Sequence, residues 1–197
     1  GEDMQRKILV QAETARGEGL LSRLGLPDSD VPERRKKTIE EIRNMRREYQ
    51  SKMFAETAEQ TDSLQKLTSY LSACINCYNC RVACPVCYCK ECVFVTDVFD
   101  HKPFQYLGWA KQKGDLKLPT DTLFYHLTRL AHISTSCVGC GQCSNACPND
   151  VPVMELFKMV AAKTQKAFNY KPGEDPLVPP PLAVFQEEEF TEVTENE

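Results

Sequence analysis

C-I-N-C-Y-N-C-R-V-A-C-P at residues 74–85 and C-V-G-C-G-Q-C-S-N-A-C-P at residues 137–148 are one pattern written twice. Each reads C-x2-C-x2-C-x3-C-P, the thiolate run that holds a cube of iron and sulfide. Three thiolates spaced by two residues lie on a tight loop around one 4Fe–4S cluster. The fourth, three residues on, sits on a short helical turn that faces away, so it ligates the other cluster. The expected ligand sets are therefore crossed. Cys74, Cys77, Cys80 and Cys147 hold cluster 1, and Cys137, Cys140, Cys143 and Cys84 hold cluster 2. Gly139 and Gly141 leave room for backbone N–H groups to approach the sulfurs, which raises potential. Asn76 and Tyr78 stand at the matching places of the first run, so the two clusters are expected to differ.

Structural zinc is the competing use of such cysteines, but it favours paired C-x2-C knuckles with four thiolates per ion. The chain has eleven cysteines, three more than two clusters need. Cys87, Cys89 and Cys92, in C-P-V-C-Y-C-K-E-C, form a candidate third metal site, either cluster or zinc, that is one ligand short. The alternative is packed thiols beside the first cluster. Cys80, Cys84 and Cys87 also spell C-x3-C-x2-C, the radical-SAM spacing. That reading competes for two cysteines already in the stronger pattern, and the chain has no strand pattern for a barrel. His101, His126 and His132 are read as packing or surface residues. No nucleophile with a base, phosphate loop or dinucleotide fingerprint appears, so no catalytic residue is assigned.

Outward from the cysteines, the segments read as helices, and little alternates with period two, so the fold is expected to be mostly α. A helix is predicted over residues 1–24, stopped by Gly25. A long charged one runs from Pro32 to about Gln60, with Ile39, Ile42, Met45, Tyr49 and Met53 on one face. Its Arg34-Arg35-Lys36-Lys37 run reads as a solvated face, or else as a docking surface for an acidic partner. Thr61 is expected to cap a short helix into Cys74. Between the runs lie a stretch over residues 104–111 and a loop through Gly114 and Pro119. Then comes a helix capped by Thr120 with Leu123, Leu127, Leu130 and Ala131 as its apolar stripe. Pro152 opens another, carrying Val153, Leu156, Phe157 and Val160. From Lys171 the chain is rich in proline, and it turns acidic from Glu187. Three parts are expected: a helical extension over 1–60, a two-cluster domain over 61–168 and an extended tail over 169–197.

With 26% charged residues and a net charge of −4, and a mean hydropathy of −0.43, the chain offers no basic surface for nucleic acid. No apolar run reaches the roughly 18 residues of a membrane helix. The start at Gly1-Glu2-Asp3-Met4 shows no secretory signal, so a cytoplasmic setting with reduced thiols is expected.

Two such runs split by a helical insert resemble the α-helical ferredoxin module of the heterodisulfide reductase C subunit and the anaerobic glycerol-3-phosphate dehydrogenase C subunit. The stretch Cys84-Pro85-Val86-Cys87-Tyr88-Cys89-Lys90-Glu91-Cys92 is similar to the beta-subunit family of formate dehydrogenases and deazaflavin-linked hydrogenases of anaerobes. In that family the module follows a flavin-binding domain; a fragment starting in mid-protein would explain its absence from these 197 residues and the start at Gly1. The resemblance implies an electron-transfer iron–sulfur subunit or domain of an oxidoreductase complex. Its partners would be flavin and molybdenum or tungsten subunits. A zinc-stabilised interaction module and a radical-SAM enzyme are the alternatives.

Overall fold

The computed structural model describes residues 8–87, 89–99, 102–113 and 120–183. His101, the loop through Gly114 and Pro119, and the acidic end from Glu187 lie outside them. The chain divides into two units, Gly1–Lys52 and Met53–Glu197.

In the first unit, helix α1 (Ala15–Leu24) starts later than the predicted helix over residues 1–24. Thr14 explains the difference: its extended backbone (φ −143°) breaks the helical path, and its Oγ1 accepts the N–H of Gly17 at 3.1 Å as an N-cap. Gly25 ends α1 in the left-handed region (φ 57°), as its sequence position suggested. Helix α2 (Glu33–Thr61) crosses the boundary between the units. Residues 34–37 all lie on solvent, and so do Ile42, Met45 and Tyr49. Exposed pairs such as Lys36 with Glu33 and Arg43 with Glu40 support α2 locally, each by roughly 0.3–0.5 kcal/mol.

The second unit continues with α3 (Leu64–Tyr70), α4 (Asn79–Val82), a 3-10 turn at Val93–Val95, α5 (Pro103–Lys113), α6 (Thr120–Ile133), α7 (Gln142–Asn145) and α8 (Val153–Ala167). No strand occurs among the described residues, and the mostly α expectation holds. The cap of α3 is Ser63, which accepts the Lys66 N–H. Thr61, expected in that role, still belongs to α2 and spends its hydroxyl on the Thr57 carbonyl at 2.7 Å. Thr120 is the first residue of α6 itself.

Helix α8 is the floor, with α6 and α7 packed on it and α4 packed on α7. Leu71, Leu130, Ile133, Val151, Val153, Leu156, Phe157 and Met159 form the core, and Cys74, Cys84, Cys137, Cys143 and Cys147 pack against it half-buried. The predicted inner face of α8 is thus the observed one. That of α6 is so only in part: Leu130 is buried and Leu123 packs half-buried against the core, but Leu127 and Ala131 are exposed. Beside Leu130 the buried face carries Thr122, Tyr125, His126, Arg129 and Ile133. A helix facing thiols can bury polar groups that hydrogen-bond to sulfur, which a purely apolar stripe cannot do.

Candidate metal centre

The two cysteine runs share a backbone. Asn76 and Tyr78 have φ of 54° and 59°, and Gly139 and Gly141 at the equivalent places have 72° and 80°. Left-handed backbone is easy for glycine and costs other residues roughly 1–2 kcal/mol, so the first run needs support from elsewhere. Asn is among the side chains that tolerate this region, and its Oδ1 accepts the Thr122 hydroxyl at 2.6 Å. The Tyr78 ring stands edge-on to Tyr125 at 4.9 Å between centroids. The conformation aims equivalent amides alike: the backbone of Asn76 hydrogen-bonds to Cys74, and that of Gly139 to Cys137.

After each left-handed pair comes one turn of helix, α4 or α7, carrying the third cysteine of its run, Cys80 or Cys143. The fourth, Cys84 or Cys147, follows that turn. Because α4 and α7 pack together, each fourth cysteine comes near the opposite run. One recess is lined by Cys74, Cys77, Cys80 and Cys147, and by Tyr125 and Val153. Cys84 in turn lies within electrostatic range of Cys137 and Cys143, and Cys140 within range of Cys137. None of these cysteines is in a disulfide. Burial pushes the thiols of Cys74 and Cys137 up, and that of Cys143 to about 11. Binding a metal there must displace protons.

Helix α6 supplies the surroundings. Arg129, 3% exposed, donates from Nη1 to Cys80 Sγ at 3.1 Å and from Nη2 to the Cys80 carbonyl at 3.1 Å. Its guanidinium lies over the rings of Phe157 at 4.8 Å and Tyr125 at 5.5 Å. No carboxylate among the described residues pairs with it. Burial by itself would lower its pKa, but Cys80, Tyr125, Cys87 and Cys84 together outweigh that and raise it. The Tyr125 hydroxyl lies 3.3 Å from Cys80 Sγ. His126 Nε2 lies 3.4 Å from Cys74 Sγ, and burial with Arg129 nearby holds its pKa down to about 4. A neutral ring with its proton on Nε2 donates to that sulfur.

A buried cation held by a cysteine sulfur and the same residue's carbonyl, with no carboxylate partner among the described residues, suits an anionic thiolate centre. A cube carrying four thiolates has a net charge of roughly −2, which would compensate Arg129. Among the described residues no three metal-binding side chains surround a single ion. Each thiolate of a cube binds its own iron, so its sulfurs need not converge as zinc requires.

The three remaining cysteines stand in different surroundings. Cys87 is half-buried beside Cys84 and Arg129, with burial raising its pKa. Cys89 is exposed, its carbonyl accepting from Arg81. Cys92 packs against the buried group of Cys80, Phe94 and Tyr125. Of the histidines, His132 is exposed on α6. Tyr125 and Arg129 went unnoticed in the sequence, although Thr122, Tyr125, His126, Arg129 and Ile133 fall at helical spacing on one face.

Comparison with known proteins gives a consistent picture. Residues 69–151 match the 4Fe-4S dicluster domain family. The chain is 38% identical over 122 residues to the beta subunit of the F420-dependent formate dehydrogenase of Methanocaldococcus jannaschii, covering 62% of this chain and 29% of the relative. It is 30% identical over 190 residues to the beta subunit of F420-dependent formate dehydrogenase 1 of Methanococcus maripaludis, covering 92% of this chain and 45% of the relative. The chain therefore spans less than half the length of either relative.

Proposed function

Since this chain carries a 4Fe-4S dicluster domain at residues 69–151 and is homologous to the beta subunits of F420-dependent formate dehydrogenases, we propose that it relays single electrons within an oxidoreductase complex, between a catalytic subunit and a flavin subunit. The domain implies two 4Fe–4S clusters. Each, when bound, supplies a centre that takes and returns one electron without bond making.

The observation that carries this reading is the recess lined by Cys74, Cys77, Cys80 and Cys147, three residues of one run and one of the other. It supports the crossed sets, with Cys137, Cys140, Cys143 and Cys84 around the second cluster. The protein's own work is positioning. Backbone N–H groups at Asn76 and Gly139, the Tyr125 hydroxyl and His126 Nε2 give the ligand sulfurs hydrogen bonds. Leu71, Val151 and Val153 exclude water from one side. Residues 61–168 are read as the cluster domain. Residues 1–60 and 169–197, with exposed apolar side chains such as Leu24, Tyr49 and Leu177, are read as arms that lie on partner subunits. Among the described residues no helix is long and apolar enough to cross a membrane. The setting we propose is a cytoplasmic formate dehydrogenase-like or heterodisulfide reductase-like complex.

Anaerobic purification tests this reading. Brown protein with about eight iron and eight sulfide, bleached by dithionite, is expected. Colourless protein with zinc would overturn it in favour of an interaction module. A single cluster whose EPR signal changes with S-adenosylmethionine would favour a radical-SAM enzyme.

A further inference from the structure

Arg129 is placed to act on more than one cysteine. Its fork grips Cys80 at both the sulfur and the carbonyl. Cys143, from the second run, packs against the same buried group of Cys80, Phe94 and Tyr125. Cys84, Cys87 and Cys143 all lie within electrostatic range of the guanidinium. Its Nε is buried without a partner, and two aromatic faces confine the group. The side chain therefore lies where the two runs meet. A guanidinium stays charged at every working pH, so it is a fixed cation there. Taking up an electron adds negative charge, and a nearby fixed cation favours the reduced form.

We propose that Arg129 is a positioning residue shared by the two clusters, clamping Cys80 of the first while its buried charge raises the reduction potential of both. This rests on the ligand sets proposed above. The step concerned is a one-electron uptake in which no bond forms or breaks and no proton moves. In the test, dithionite is the reductant.

The experiment is an EPR-monitored potentiometric titration of the wild-type chain and of Arg129→Gln and Arg129→Lys, with iron and sulfide measured on each. For Arg129→Gln with about eight iron retained, the reduced-to-oxidised ratio at the wild-type midpoint should fall about tenfold for the cluster that Cys80 holds, or about 59 mV for a one-electron couple. It should fall by less for the other cluster, and Arg129→Lys should recover most of both shifts. Unchanged potentials, or a shift confined to one cluster, would overturn the proposal.

If Arg129→Gln does not load its clusters, wild-type protein labelled with guanidino-15N arginine provides the second readout. Nitrogen hyperfine coupling on both reduced signals, stronger on one, supports the proposal. Coupling on one alone or on neither overturns it. Wild-type protein lacking the two EPR signals would instead refute the ligand sets, so the two failures are distinguishable.

Discussion

The side-chain amide of Asn149 donates to the carbonyl oxygen of Ala73 at 2.7 Å, so the residue just past the second run holds the residue just before the first. One further bond ties the halves, and two more lie within the second. The Tyr70 hydroxyl donates to the Pro152 carbonyl at 2.7 Å. Gln165 of α8 donates to the carbonyls of Ser134 and Cys137 at 3.0 and 2.8 Å. The Asn149 and Tyr70 bonds hold the segment after Cys147 against the segment before Cys74. Each is worth about 1 kcal/mol net.

Crossed ligands make double substitutions non-additive. Cys74→Ser and Cys147→Ser should each cost about four of the eight iron atoms. Together they should cost no more than either alone, whereas Cys137→Ser with Cys147→Ser should remove nearly all the iron. Iron analysis of anaerobic preparations checks this. Half the iron surviving in the Cys137/Cys147 pair would mean that each run feeds its own cluster.

The surplus cysteines should be dispensable for metal. Cys89→Ala and Cys92→Ala are expected to leave iron and sulfide at the wild-type level, because Cys89 is exposed and Cys92 packs among aromatics. A loss of about four irons, or of one zinc, in either variant would establish a third site.

Gly139 and Gly141 should differ when changed to alanine. Both have positive φ, costing roughly 1–2 kcal/mol each. A Cβ on Gly139 would also lie 2.9 Å from Lys158 Cδ, while one on Gly141 would meet open space. Gly139→Ala is therefore expected to speed chelator-driven iron loss more than Gly141→Ala. Lys158→Ala should rescue part of the Gly139→Ala defect and none of the Gly141→Ala one, a coupling that a double-mutant cycle reads directly.

Phe157 is 1% exposed and lies under Arg129 and His126. Phe157→Ala should cost about 3–5 kcal/mol through the cavity it leaves, and Phe157→Leu much less. Anaerobic heating followed by loss of visible absorbance should show the alanine protein bleaching at clearly lower temperature. Equal bleaching of both variants would count against a packing role.

Several features were legible from residue order alone. The repeated spacing of eight cysteines determined the cofactor class, because a run of three thiolates and an outlying fourth is a geometric demand made within a dozen residues. The helical class, Gly25 as a stop and the buried positions Val153, Leu156 and Phe157 follow from periodicity and from conformational limits that act locally. Only the tertiary structure decided which face of α6 turns inward. Apolar spacing points to Leu123, Leu127, Leu130 and Ala131, of which Leu130 is buried, whereas the folded protein also turns Tyr125, His126 and Arg129 toward sulfur supplied from about 50 residues away in sequence. A polar residue is stable inside when its partner is there to meet it, and that partner is placed by packing that no local pattern records.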